Sequence, residues 1–180
     1  MKILYVRHGE TDWNKECKVQ GRTDNPLNDK GIEQAKETAE KLKNEKIDII
    51  ISSPLTRAFQ TAEIINWNHK KNIETNDKFI EVYFGDWEGQ TSKGNEFEFV
   101  RYYMENAESL NAETKEEFTS RIHKALDEII DKHKDCDAVL IVAHGLIWRA
   151  VHEYFNKMSK EELDKITFAK NCKIYEYEVE

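Results

Sequence analysis

The sequence predicts an α/β fold, a three-layer α/β/α sandwich with a mostly parallel central sheet and one antiparallel edge strand. Three short apolar segments rich in β-branched residues have strand length and no polar alternation, as expected for strands buried on both faces. Segments with apolar residues three and four positions apart lie between them and indicate amphipathic helices. A last segment alternates apolar and polar residues, which is typical of a strand with one face toward solvent.

The strands can be placed directly. The three apolar segments are Lys2–Val6, Ile47–Ile51 and Ala138–Ala143, and the alternating segment is Lys173–Val179. We therefore expect the first three to form the parallel part of the sheet and the last to form its antiparallel edge.

Three helices follow from their apolar spacing and their start signals. Ser53 followed by Pro54 predicts a helix N-cap and first helical position, and Thr114 with Glu117 predicts a capping box. The apolar positions of the three helices are Ile32, Ala35, Ala39 and Leu42; Leu55, Ala58, Ala62 and Ile65; and Phe118, Ile122, Ala125, Leu126 and Ile129.

Length and charge narrow the class of protein. The chain has 180 residues without a repeat or a Gly/Ser/Pro-rich linker, so we expect one domain over residues 1–180. Its 27 basic and 35 acidic residues give a net charge of −8, which argues against nucleic acid or an anionic membrane as a partner. No signal-peptide pattern or apolar run of membrane-spanning length is present, so we expect a cytoplasmic protein.

The cysteines and histidines give no metal or disulfide pattern. Cys17, Cys136 and Cys172 are odd in number and widely spaced, which indicates reduced thiols. The six histidines show no HExxH spacing, and we expect neither a metal nor another cofactor.

Polar residues follow each of the three clearest strands. Arg7 and His8 end the first, Arg57 lies shortly after the second, and His144 follows the third. One histidine or arginine in such a place is usually a structural or solvated residue. Because the carboxyl ends of parallel strands meet at one edge of a sheet, the four together predict a shared site, and guanidinium groups suit phosphate oxygens.

The segment LYVRHGETDWN, with its Arg-His-Gly signature, resembles the histidine phosphatase superfamily, which includes cofactor-dependent phosphoglycerate mutases. Four further blocks resemble motifs of this family and occur in the family's order over nearly the whole chain. They are VQGRTDNPLNDKGIEQA (Val19–Ala35), SSPLTRAFQTAEII, EVYFGDWEG (Glu81–Gly89) and AHG (Ala143–Gly145).

The resemblance implies a set of roles. His8 would attack phosphorus to give a phosphohistidine, and Glu81 would donate and then accept the proton. Family members often have a lid after the acid motif, which here would lie at about residues 90–112. The residues expected to bind phosphate or substrate are Arg7, Asn14, Gln20, Gly21, Arg57 and His144.

Departures from the mutase pattern favour hydrolysis of small phosphorylated metabolites without a metal ion. Between Glu81 and Phe118 the basic residues are only Lys93, Arg101 and Lys115, so the basic insertion expected of a mutase is missing. Gln20 precedes the glycine of the second block and Leu146 follows the last His-Gly, where mutases tend to have other residues. Phosphoglycerate mutase, alpha-ribazole phosphatase and a non-catalytic phosphate-binding module remain as alternatives.

Overall fold

A five-stranded sheet forms the centre of the computed structural model, which describes residues 1–92 and 96–179. The strands follow the spatial order β3-β2-β4-β1-β5; the first four are parallel, and β5 is antiparallel to β1. This confirms the predicted mostly parallel sheet and its antiparallel edge. The strands are β1 (Lys2–Arg7), β2 (Ile49–Ser52), β3 (Ile73–Thr75), β4 (Ala138–Ala143) and β5 (Ile174–Glu178).

Helices connect the parallel strands, and short 3₁₀-helices lie at Asp77–Phe79, Gly85–Trp87 and Glu108–Leu110. In the part of the chain that the structure describes, no helix has both the length and the apolar character to cross a membrane. The α-helices are α1 (Asp12–Lys15), α2 (Asp29–Leu42), α3 (Thr56–Asn66), α4 (Glu96–Asn106), α5 (Lys115–Lys132), α6 (Ile147–Asn156) and α7 (Lys160–Leu163).

Each face of the sheet has its own core, because successive side chains of a strand point to opposite faces. Leu4 and Val6 of β1 belong to a cluster with apolar residues of α2 and α3. Ile3 and Tyr5 belong to the other cluster, with residues of α4, α5 and α6. The predicted three-layer arrangement is therefore confirmed.

The helix start at Ser53 and Pro54 was predicted wrongly. Helix α3 begins at Thr56, and its N-cap position, Leu55, has no side-chain capping bond. Instead Asp24, from a distant loop, accepts bonds of 2.7 Å from both the backbone N–H and the hydroxyl of Thr56. A tertiary contact has thus replaced the local cap. The capping box of Thr114 at α5 is confirmed.

The loop after β1 packs directly against the first turn of α2. A Cβ atom added at Gly9 would lie 2.4 Å from the carbonyl oxygen of Gly31, and one added at Gly31 would lie 2.1 Å from the carbonyl oxygen of Glu10. Only glycine allows the two backbones to approach so closely. This contact fixes the position of the loop that carries His8.

We expect Gly31→Ala to destabilise the protein by about 1–3 kcal/mol, because overpacking outweighs the roughly 1 kcal/mol advantage of alanine in a helix. Urea unfolding followed by circular dichroism measures the effect. The exposed Glu33→Ala in the same turn is the control and should change the stability by less than about 0.5 kcal/mol. Equal stabilities of wild type and Gly31→Ala would show that the backbone approach imposes no constraint.

Candidate active site

A cavity of 170 Å³ lies at the carboxyl ends of β1, β2 and β4. The structure brings the predicted residues together there from six separate chain segments. Of the eight predicted residues, seven line the cavity and His144 does not. His144 is fully buried, and its ring centroid lies 5.2 Å from that of His8. The seven predicted residues that line the cavity are Arg7, His8, Asn14, Gln20, Gly21, Arg57 and Glu81.

The imidazole of His8 is held in one tautomer. Its Nδ1 lies 2.7 Å from the carbonyl oxygen of Gly9, so Nδ1 carries the proton and donates it. Nε2 therefore has the lone pair, which accepts a bond of 3.3 Å from Nε of Arg57. Burial, followed by the positive charges of Arg57 and Arg7, lowers the pKa of His8 well below its usual value. The imidazole is thus neutral, and a neutral imidazole can act as a nucleophile.

Arg57, from the block SSPLTRAFQTAEII, lies in the first turn of α3 and is almost fully buried. Its Nη2 donates to the carbonyl oxygen of Gly21 at 2.7 Å, and its Nη1 donates to that of Thr23 at 2.8 Å. Burial lowers the pKa of Arg57 to about 10, so the guanidinium stays charged at neutral pH. These bonds aim a fixed cation at Nε2 of His8.

Glu88 shapes the loop that receives Arg57. Its carboxylate accepts the backbone N–H groups of Arg22 and Thr23 at 2.9 and 2.8 Å, and the hydroxyl of Thr23 at 2.6 Å. Gly21 has φ +54° next to this carboxylate, where a Cβ atom would lie 2.1 Å from Oε1 of Glu88. Sequence analysis did not assign Glu88 a role, although it lies within the EVYFGDWEG block.

Residues 168–172, here called the clasp, hold the end of β1. Nη1 of Arg7 donates to the carbonyl oxygen of Ala169 at 2.7 Å, and the Arg7 guanidinium lies 6.0 Å from the ring centre of Phe168. Nδ2 of Asn171 donates to the carbonyl oxygen of His8 at 2.8 Å, and the N–H of Cys172 donates to that of Arg7 at 2.9 Å. No sequence pattern pointed to the clasp.

Glu81 follows the 3₁₀-helix Asp77–Phe79 and is buried. Its Oε1 accepts from the N–H of Val82 at 3.0 Å and its Oε2 from the N–H of Leu146 at 3.4 Å. Burial raises the pKa of Glu81, and the two backbone bonds and the nearby arginines only partly oppose this shift. A buried carboxyl group with a raised pKa is suited to donating a proton.

Thr11 orients the two amides of the site. Its backbone N–H donates to Oδ1 of Asn14 at 3.2 Å, and its hydroxyl donates to Oε1 of Gln20 at 2.9 Å. The amide oxygens are thus occupied, so the hydrogen-bonding capacity that Asn14 and Gln20 offer a ligand lies in their N–H groups. An anion is the ligand that accepts from such donors.

The remaining wall of the cavity is mainly apolar. Among the described residues, no cluster of three His, Cys, Asp or Glu is arranged to hold a metal ion. Ser92 and Phe99 of the predicted lid line the cavity, whereas Lys93–Asn95 and the side chain of Phe97 lie outside the described residues. That residues 90–112 act as a lid stays a prediction. Outside the seven predicted site residues and the predicted lid, the lining residues are Cys17, Lys18, Val19, Phe84, Gly145 and Phe168.

The family model of the histidine phosphatase superfamily (branch 1) matches residues 3–180. The chain belongs to this superfamily. It is 43% identical over 158 residues to the uncharacterized phosphatase PhoE of Bacillus subtilis, covering 87% of this chain and 77% of the relative. It is 37% identical over 161 residues to phosphoglycerate mutase-like protein 4 of Arabidopsis thaliana, covering 84% and 70% of the two chains.

Solved structures agree with this assignment. The structure of Bacillus stearothermophilus YhfR superposes with a TM-score of 0.85 at 27% identity, over 99% of this chain and 91% of the other. The prediction of a phosphatase enzyme of the histidine phosphatase superfamily is confirmed.

We expect Asn171→Ala to lower kcat for an aryl phosphate by about tenfold with little change in KM, because the variant loses one hydrogen bond that positions His8. Asn66→Ala is the control. Asn66 is the last residue of α3, and its Nδ2 donates a hydrogen bond of the same length, 2.8 Å, to the carbonyl oxygen of Lys71. Thermal unfolding of both variants separates positioning from stability. Equal kcat values in the two variants would contradict a role of the clasp in positioning His8.

Proposed function

We propose that the protein is a phosphomonoesterase that hydrolyses small phosphorylated metabolites through a phosphohistidine on His8, without a metal ion. The observation that carries this proposal is the hydrogen bonding of the His8 imidazole. Its Nδ1–H is fixed on a carbonyl oxygen, and its Nε2 lone pair faces the guanidinium of Arg57. This arrangement supports His8 as the nucleophile and Arg57 as the cation that would stabilise the transferred group.

In the first step, Nε2 of His8 forms a bond to phosphorus while the bond from phosphorus to the leaving oxygen breaks. Arg7, Arg57 and the amide of Asn14 would bind the phosphoryl oxygens, replacing the bond from Arg57 to Nε2. Glu81 in its acid form would give its proton to the leaving oxygen, which departs as an alcohol.

In the second step, water replaces the histidine. The carboxylate of Glu81 would take a proton from water as the water oxygen attacks phosphorus, and the Nε2–P bond breaks. Inorganic phosphate leaves, while His8 returns to its neutral form and Glu81 to its acid form. Burial, which raises the pKa of Glu81, supports both of its roles near neutral pH.

The cavity favours a compact leaving group with an apolar part. Val19, Phe84, Phe99 and Phe168 form an apolar part of the lining. Besides the two arginines, the cation among the described lining residues is Lys18, which is paired with Glu16 at 2.7 Å. A second phosphate or a carboxylate would meet few free donors there, so hydrolysis is favoured over phosphoglycerate mutation. Alpha-ribazole phosphate is one specific substrate that we propose to include among the candidates.

Phosphate release from a panel of monoesters, with a chelator present, tests the proposal. We expect chelator-resistant release and a phosphoenzyme that is labile in acid and stable in alkali, both absent in His8→Ala. The panel comprises an aryl phosphate, 3-phosphoglycerate, nucleoside monophosphates and alpha-ribazole phosphate. His133→Ala is the matched control, because His133 precedes β4 at the opposite end of the sheet.

Three results would argue against the proposal. Loss of release with the chelator would contradict a metal-free reaction, and an acid-stable adduct would contradict phosphohistidine. Rapid interconversion of 3- and 2-phosphoglycerate in the presence of bisphosphoglycerate would favour a mutase instead.

Glu81→Gln tests the proton donor through the leaving group. We expect kcat for alkyl phosphates to fall by about 100-fold or more, because an alkoxide needs a proton in order to leave. With p-nitrophenyl phosphate the pre-steady-state burst should remain, since its leaving group needs no proton, while later turnover becomes slow. In the wild type, phosphorylation by alkyl phosphates should slow as pH rises through the raised pKa of Glu81, because the acid form is lost. An equal loss of burst rate for both substrates would exclude this role.

A further inference from the structure

Ser53 and His144 form a hydrogen-bonded pair beneath the site. Ser53 follows β2 and His144 follows the neighbouring β4, and neither side chain is exposed to solvent. Oγ of Ser53 lies 2.7 Å from Nε2 of His144. Sequence analysis interpreted Ser53 as a helix cap, but α3 begins three residues later, so its hydroxyl is available for another purpose.

The direction of this bond follows from counting donors and acceptors. Oγ of Ser53 also accepts a bond of 3.3 Å from the backbone N–H of Leu55. In the part of the chain described, the remaining partner of Oγ is Nε2 of His144. If Nε2 carried the proton, two buried groups would lack a partner, the hydroxyl hydrogen of Ser53 and the lone pair of Nδ1. With the proton on Nδ1, only the Nδ1–H lacks a partner among the described residues. The hydroxyl therefore donates, and Nε2 accepts.

This direction determines the tautomer of His144. Burial and the positive charge of Arg57 lower the pKa of His144 well below its usual value, so the ring is neutral. A neutral ring that accepts at Nε2 carries its proton on Nδ1. Nδ1 is buried and has no hydrogen-bond partner among the described residues, while the ring stands 5.2 Å from that of His8.

The backbone of His144 is also fixed. The hydroxyl of Tyr5 accepts from the N–H of His144 at 3.0 Å and donates to its carbonyl oxygen at 2.6 Å. With the backbone held in this way, the hydroxyl of Ser53 is what determines which ring nitrogen carries the proton. A donor at Nδ1 attracts a phosphoryl oxygen, whereas a lone pair there repels it.

We propose that Ser53 is a positioning residue: its hydroxyl holds His144 in the Nδ1–H tautomer, so that His144 donates a hydrogen bond to the phosphoryl group on its way to His8. The proposal rests on the proposed function, because it requires phosphoryl transfer to His8. The phosphoryl group would then be the acceptor for the Nδ1–H of His144, which has no partner among the described residues.

The first test is nitrogen NMR of the wild-type enzyme labelled with ¹⁵N-histidine, with the His144 signals assigned by their loss in His144→Gln. We expect a protonated Nδ1 and an unprotonated Nε2 at neutral pH. A protonated Nε2 would overturn the proposal directly, and this measurement needs no Ser53 variant to fold.

The second test compares Ser53→Ala with Ser52→Ala. Ser52 is the matched control because it is equally buried and its hydroxyl donates to a backbone carbonyl, that of Ser53, at 2.8 Å. We expect Ser53→Ala to shift the ¹⁵N signals of His144 toward the other tautomer, to lower kcat about tenfold with little change in KM, and to weaken vanadate binding similarly. Equal losses in both variants would mean a purely structural role.

The proposed function and the proposed role of Ser53 can be refuted separately. Absence of phosphohistidine in the wild type would refute the proposed function. Formation of phosphohistidine by an enzyme whose His144 is protonated on Nε2 would refute only the role of Ser53.

Discussion

A buried cation organises this site. Arg57 is only 1% exposed and, within the described part of the chain, has no carboxylate at ion-pair distance. It is held instead by two carbonyl oxygens and by Nε2 of His8. Keeping a charge in such a place is costly unless hydrogen bonds compensate. The turn at Gly21 and the carboxylate of Glu88 serve this purpose, and a bound phosphoryl group would supply the missing opposite charge.

Burial acts in opposite directions on the acid and the bases of the site. It lowers the pKa values of His8 and His144, and it raises that of Glu81. One dry environment thus leaves both imidazoles neutral and favours the protonated carboxyl group. The positive charge of the site then resides on the guanidinium groups of Arg7 and Arg57. Neutral imidazoles, a carboxyl group with a raised pKa and charged guanidinium groups thus lie side by side in one site.

Sequence alone predicted what depends on periodicity and on motifs. Strands β1, β2, β4 and β5, helices α2, α3 and α5, and the convergence of Arg7, His8 and Arg57 follow from apolar spacing and from the rule that parallel strands end at one edge. The three-residue strand β3 is too short to give such a pattern. The cap of α3 was wrong because Asp24, far away in sequence, replaces a local residue. The clasp was missed because a hydrogen bond from Asn171 to a backbone carbonyl leaves no pattern in the sequence.

The position of β1 in the sheet has a consequence for folding. This first strand lies between β4 and β5, so that Lys2 pairs with Ala138 on one side and with Glu178 on the other. The strand that leads into His8 therefore pairs with segments that are more than a hundred residues away in the sequence. Contacts so distant in sequence slow folding, because the entropy of closing a long loop is lost before pairing compensates. His8, which directly follows this strand, therefore reaches its place beside Arg57 only when contacts between distant parts of the chain form.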